Sequence, residues 1–345
     1  MMAMMAMATR ALLLIAVLAT TAHADVWKRA IEGREIQDAY EAALAEGDAF
    51  ATRANARGLN AVAVTRLVDQ AIDQYQQASK VRPSEAEPFY RVANVLESYF
   101  TDCSTYTIRG LNMPPTCLGN GRVDLKRAEQ TVTAWEEFEK RASLDPRLAD
   151  SLFSRAILRT KLVASAKDPK RLLEGALADY RALLDRADGL TISPPEQIWG
   201  NLAETYMMLG RMEEAIEAYH IALRLGGDSS TAYGLAVALD RDGSPAEALE
   251  VIRSQSEQAF VSYRARYARG EIFYVPPGEE FYYLALVYEA WDRIPNAIEL
   301  WRQFIRSGAH PQFHERAKQH LDALQAKVKA QPQKLQRQPF EPYEW

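Results

Sequence analysis

Cysteine is close to absent from this sequence: among 345 residues only Cys103 and Cys117 carry a thiol. Two sulfurs fall short of a zinc ligand set and no C-x-x-C pair exists, so the thiols are not read as a metal site. An excess of positive charge is also missing. The 41 Lys and Arg face 46 Asp and Glu, a formal net charge of −5, which leaves no electrostatic footprint for nucleic acid or an anionic membrane. Beyond the first 24 residues no apolar run approaches the ~20 residues that span a bilayer. The sequence lacks G-x-S-x-G, H-E-x-x-H, a phosphate loop and a dinucleotide fingerprint. The adjacent carboxylates Glu136 and Glu137, and Glu213 and Glu214, would face different ways on a helix and read as solvated faces. No catalytic residue, cofactor or metal is therefore expected, and the chain is not read as an enzyme.

What is present begins with MMAMMAMATRALLLIAVLATTAHAD. Arg10 precedes an apolar run from Ala11 to Ala19, followed by the small-residue pattern Ala22, His23, Ala24. The run is too short to cross a bilayer, and its order of charge, apolar core and A-x-A site reads as a secretory signal cut after Ala24. The expected home is the periplasm or the outside of a bacterial cell. In such an oxidising compartment an even cysteine count predicts a Cys103–Cys117 disulfide. Closing a loop of ~15 residues contributes ~3 kcal/mol by restricting the unfolded chain.

The organising unit is the stretch 196–228, EQIWGNLAETYMMLGRMEEAIEAYHIALRLGGD. Trp199, Leu202, Tyr206 and Leu209 recur three and four apart, on one face of a helix that Gly210 stops. Met212, Ala215, Ile216, Tyr219, Ala222 and Leu223 draw a second apolar face, ending at Gly226 and Gly227. Two short amphipathic helices joined by a tight turn cannot bury both faces alone, so such units must stack on one another. The same columns return in Phe89, Val92, Ala93 and Leu96, in Phe153, Ala156 and Ile157, in Leu235, Ala236 and Leu239, and in Leu284, Ala285 and Tyr288. Gly210 to Gly243 and Ala215 to Ala248 each span 33 residues.

Trp199, Leu202, Ala203 and Tyr206, followed by Ala215 and Tyr219, carry the spacing of a tetratricopeptide (TPR) repeat, with Gly227 in place of the closing proline. The chain resembles that family. The resemblance implies an all-α fold, a TPR-like right-handed α-solenoid of antiparallel helix pairs with two inserted loops and a C-terminal capping helix. Its parts are then a signal peptide at 1–24, an N-terminal helical region at 25–60, a solenoid at 61–310, a capping helix at 311–330 and a disordered tail at 331–345. The repeats fall near 61–85, 86–147, 149–188, 196–228, 229–255 and 278–310.

TPR proteins hold peptides in a concave groove lined mainly by the first helix of each repeat. Carried onto this sequence, the groove positions are Glu204, Met207 and Met208, then Tyr233, Asp240 and Arg241, then Tyr282, Leu286 and Glu289. The family's lysine and asparagine clamp for a terminal carboxylate is not matched, since Gly200 and Glu204 occupy two of its places. An aromatic insert at 256–277 interleaves Phe260, Tyr263, Tyr267, Phe273 and Tyr274 with Arg264, Arg266 and Arg269. It suits either core packing or an interface. His310, His314 and His320 read as solvated residues of the cap. The expected function is an exported scaffold or adaptor that binds a protein or peptide partner and no nucleic acid, with no membrane span after signal cleavage. The alternatives are a self-assembling structural component of an envelope complex, in which homo-oligomers form, and an accessory cell-wall or glycan-binding protein.

Overall fold

The computed structural model describes residues 2–56, 58–101, 125–186, 194–268 and 276–330, with Ile272 and Tyr274 between the last two stretches. Cys103, Cys117, the tail at 331–345 and most of the segment after Ala268 lie outside the described residues. Among the described residues all regular structure is helical. Helix α1 (Met2–Ala54) is continuous through Ala24 and packs on α2 (Ala61–Val81). Then come α3 (Glu87–Leu96), prolonged by a wide π turn at Glu97–Thr101, and its partner α4 (Leu125–Arg141). Further antiparallel pairs are α5 (Leu148–Leu162) with α6 (Pro169–Leu184), α7 (Pro195–Met208) with α8 (Met212–Arg224), and α9 (Ser229–Arg241) with α10 (Pro245–Arg253). The last pair is α12 (Glu280–Ala290) with α13 (Ile294–Ser307), closed by α14 (His314–Ala330). No helix among the described residues is long and apolar enough to cross a membrane.

Each helix packs on its neighbours in sequence, and the first helices also touch across repeats: α5 on α7, α7 on α9, α9 on α12. That places the first helices along one inner side, as in a TPR-like solenoid. Helix α11 (Glu257–Ala268) breaks the order. Helix α10 packs directly on α12, while α11 lies against α9, the first helix of its repeat. The aromatic insert thus contributes an extra helix laid on the inner side of the array.

The turns inside the repeats share one construction. After α7, the Arg211 amide donates to the Tyr206 carbonyl at 2.9 Å and Gly210 takes φ +75°. After α9, Ser244 donates to Leu239 at 2.9 Å with Gly243 at φ +102°. This six-residue closure satisfies carbonyls that a helix end would otherwise leave bare, and the left-handed position favours glycine. After α12 the same closure runs from Arg293 to Tyr288 at 2.8 Å, with Asp292 at φ 55° in glycine's place.

Helix α14 is held by buried charge rather than by apolar contact alone. The Asp240 side chain is fully buried, and its Oδ1 accepts from His320 Nε2 at 2.9 Å and from Arg316 Nε and Nη2 at 3.2 and 3.0 Å. Its Oδ2 accepts from the Tyr282 hydroxyl. The other nitrogen of His320, Nδ1, donates to Glu289 Oε2 at 2.9 Å, which also receives Trp301 Nε1 at 3.0 Å. The imidazole stacks on Trp301 with ring centres 4.6 Å apart. His320, expected in solvent, is therefore an interior residue, and His310 sits 2.7 Å from Glu279 Oε2. The reason is tertiary: Asp240 lies on a helix far away in sequence and buries an acid that demands a partner.

Burial opposes the charged imidazole, but Asp240 and Glu289 outweigh it and lift the His320 pKa from 6.5 to about 9. A folded-state pKa above the unfolded one adds stability that is complete below about pH 6.5 and disappears as pH rises through about 9, a contribution of about 3 kcal/mol. The groups facing it, Asp240, Glu289, Arg316 and Tyr282, are unchanged in His320→Gln. Denaturant titrations should find the wild type more stable than His320→Gln near pH 6.5, with the gap closing toward pH 9.5. A gap that stays constant across that range contradicts the charged, doubly bonded imidazole.

Candidate functional site

On the inner side, α7 presents Gly200, Glu204 and Met208 four residues apart, on one stripe. Around that stripe lies a cavity of about 690 Å³. Ser154, Ile157 and Lys161 of α5 form one wall, Thr231 of α9 another, and Tyr263 and Arg266 of α11 close the far end with Tyr274 and Tyr283. Glu97, in the π turn after α3, reaches the opposite end and accepts from the Ser154 hydroxyl at 2.8 Å. Asp228 caps α9, accepting from the Ser230 and Thr231 amides at 2.9 and 3.4 Å, and pairs with Arg266 of α11 at the rim.

Glu204 lines this cavity. Its Oε2 accepts the Tyr219 hydroxyl at 2.6 Å and the Tyr283 hydroxyl at 3.1 Å. Burial raises its pKa above the ordinary carboxylate value; the Tyr219 hydroxyl opposes that and the charge of Glu279 adds to it. Tyr219 reaches Glu204 only because Gly234 has no side chain: a Cβ there would stand 2.6 Å from the Tyr219 ring and hydroxyl. A glycine inside a helix costs about 1 kcal/mol against alanine, and here it makes room for the hydroxyl that holds the carboxylate.

The C-terminal half of the inner side is filled by the chain itself. Tyr233 on α9 is fully buried beneath α11, with ring centres 4.9 Å from Tyr263 and 6.3 Å from Phe260. Phe260 packs edge-on against Tyr288 at 5.7 Å and Trp291 at 5.2 Å. Of the residues carried over from the repeat pattern, the structure brings Glu204 and Met208 to the cavity wall. It places Tyr233, Asp240, Tyr282 and Leu286 in the interior at 0% exposure, and Met207 at 3%. Arg241 is also enclosed: it donates to Glu279 Oε1 at 2.7 Å between the rings of Tyr282 and Phe313. Glu289 is spent on His320 and Trp301. The repeat pattern did not point to Tyr263, Tyr274, Tyr283 or Thr231; only the aromatic richness of the insert marked the first two.

The Asp240–His320–Glu289 chain looks like catalytic furniture but cannot serve as a base. Both ring nitrogens donate to carboxylates, so the imidazolium has no lone pair to offer. Burial works to raise the Asp240 pKa, yet His320, Tyr282 and Arg316 hold it below the usual range. Among the described residues no cluster of three or more His, Cys, Asp or Glu side chains is arranged to hold a metal ion.

No protein-family model matches the chain, and no curated protein does. Among solved structures it is similar to PilF of Pseudomonas aeruginosa, at 16% identity over 83% of this chain and 99% of that one, with a TM-score of 0.41. It is also similar to the MamA protein, at 15% identity over 70% and 100% with a TM-score of 0.40. A third is a thermophilic TPR protein of Thermus thermophilus, at 18% identity over 67% and 98% with a TM-score of 0.34. At these identities the likeness assigns this chain no function; its fold class rests on its own helix pairs and turns.

Gly234→Ala should lower stability by about 1–2 kcal/mol, the overpacking against Tyr219 exceeding the gain in helix propensity. Thermal unfolding checks this, and a melting temperature equal to or above the wild type contradicts the close contact.

Proposed function

We propose that this chain is an exported TPR scaffold that binds a protein or peptide along the inner side of its solenoid. One observation carries the reading: the chain fills the C-terminal half of that side with its own helix α11, yet leaves about 690 Å³ open beside it, lined by first helices. A cavity of that size with a few convergent polar groups among aromatic rings is the usual form of a recognition site. Its lining draws on α5, α7, α9 and α12, successive first helices that an extended stretch of polypeptide would follow. The N-terminal leader pattern supports export to the periplasm or beyond. A non-catalytic role is supported by the double use of His320 described above.

Gly200 offers a test that spares the interior, because a Cβ there meets only Thr231 Oγ1, at 3.7 Å. Gly200→Trp should keep the helical circular-dichroism spectrum and melting temperature while reducing recovery of co-purifying partners by about tenfold or more. Unchanged partner recovery by a folded Gly200→Trp protein contradicts binding in this groove.

A further inference from the structure

We propose that the groove reads a basic side chain, the lysine or arginine of a bound polypeptide, seated on Glu204 inside a cage of tyrosines. This rests on the groove reading above and gives its occupant a chemistry.

The first ground is the carboxylate. Glu204 Oε2 receives both tyrosine hydroxyls, whereas Oε1 receives no hydrogen bond from the described residues, and the side chain lines the cavity. The second is Tyr263. The residue is 3% exposed, its hydroxyl is buried without a hydrogen-bond partner among the described residues, and it lines the same cavity within the field of Glu204. An orphaned buried hydroxyl is costly and rare, so it marks a place where a partner is expected from outside. An ammonium or guanidinium brings several donors at once, enough for Glu204 Oε1 and the Tyr263 oxygen together.

The third ground is the surrounding aromatic surface. Tyr180, Tyr219, Tyr263, Tyr274 and Tyr283 all line the cavity, with Tyr274 and Tyr283 at 5.0 Å between ring centres. Tyrosine faces attract cations, more so where water is excluded. Net charge points the same way: Glu97, Glu196, Glu204 and Asp228 face Lys161 and Arg266, and Arg266 is paired with Asp228. An acidic anchor would be repelled by the Glu204 carboxylate. An apolar anchor would leave Glu204 Oε1 and the Tyr263 hydroxyl without a partner.

A phage-displayed library of random linear peptides selected on the full chain tests this, with Gly200→Trp protein as the counter-selection that confines hits to the groove. The wild type should enrich peptides with Lys or Arg at one fixed position. Glu204→Gln protein should still enrich peptides but without that preference. Replacing the enriched basic residue by Ala should weaken a selected peptide about tenfold on the wild type and less than about twofold on Glu204→Gln. Tyr263→Phe, which removes only the orphaned oxygen, should weaken the same peptide severalfold and leaves a second readout should Glu204→Gln not fold. Groove-dependent peptides with no basic preference, or with an acidic one, overturn the inference and leave the groove reading standing. Selection that yields no groove-dependent peptide overturns both.

Discussion

Small residues where helices cross are the constraint on which the rest depends. Ala93, Ala156, Ala203, Ala236 and Ala285 occupy one column of the first helices, and Ala71, Ala176, Ala215, Ala248 and Ala297 one column of the second, all at 0% exposure. Helices separated only by methyl groups approach closely, and the large side chains beside them then interlock rather than hold the backbones apart. Tyr180, Phe138, Phe304 and Trp301 fill the spaces so defined and are themselves fully buried. Enlarging any alanine of these columns would force neighbouring helices apart, and the displacement would pass to the next pair because each pair rests on its neighbours.

Regular stacking brings the first helices to one inner side, and two later parts of the chain then compete for it. Helix α11 covers the face around Tyr233, and α14 covers Asp240 through His320 and Arg316. Both coverings join residues far apart in sequence, and both use polar or aromatic contacts that fix a single arrangement. The buried charges are expensive to desolvate, so their value lies in specifying where α14 sits more than in net stability. A similar buried network, in which Arg155 grips both oxygens of Asp179 at 3.0 and 2.6 Å, links α5 to α6. What remains open is the part of the inner side beside α11, whose Tyr263 and Arg266 line its end.

The repeat at 196–228 was legible because its signal is local: apolar period, terminal glycines and alanine spacing all sit within one unit. Phe260 and Tyr263 of the aromatic insert, for which core packing was one of two readings, are core residues at 5% and 3% exposure. The groove was less legible. The repeat pattern says which residues an isolated array would show on its inner face, but not what the chain lays over it, so Tyr233, Asp240 and Tyr282 were expected in the open and lie inside. His320 misled for the same reason, since the local sequence of α14 is charged and amphipathic and its acceptors are on α9 and α12. One signal could have corrected this: Asp240 ends the apolar run Leu235, Ala236, Val237, Ala238, Leu239, and an acid so placed requires a cation from elsewhere. Gly234 is another, a helix-interior glycine whose use appears only when Tyr219 is seen crossing above it.

Site-specific photocrosslinking in the native host distinguishes a partner held on the inner side from one held elsewhere. A benzophenone amino acid replaces Met208, on the wall of the cavity, or Leu144, 95% exposed in the turn between α4 and α5. Binding on the inner side yields a covalent adduct with another protein from position 208 and none from 144. Adducts from 144 alone, with 208 inert in folded protein, would place the partner off the inner side and contradict it.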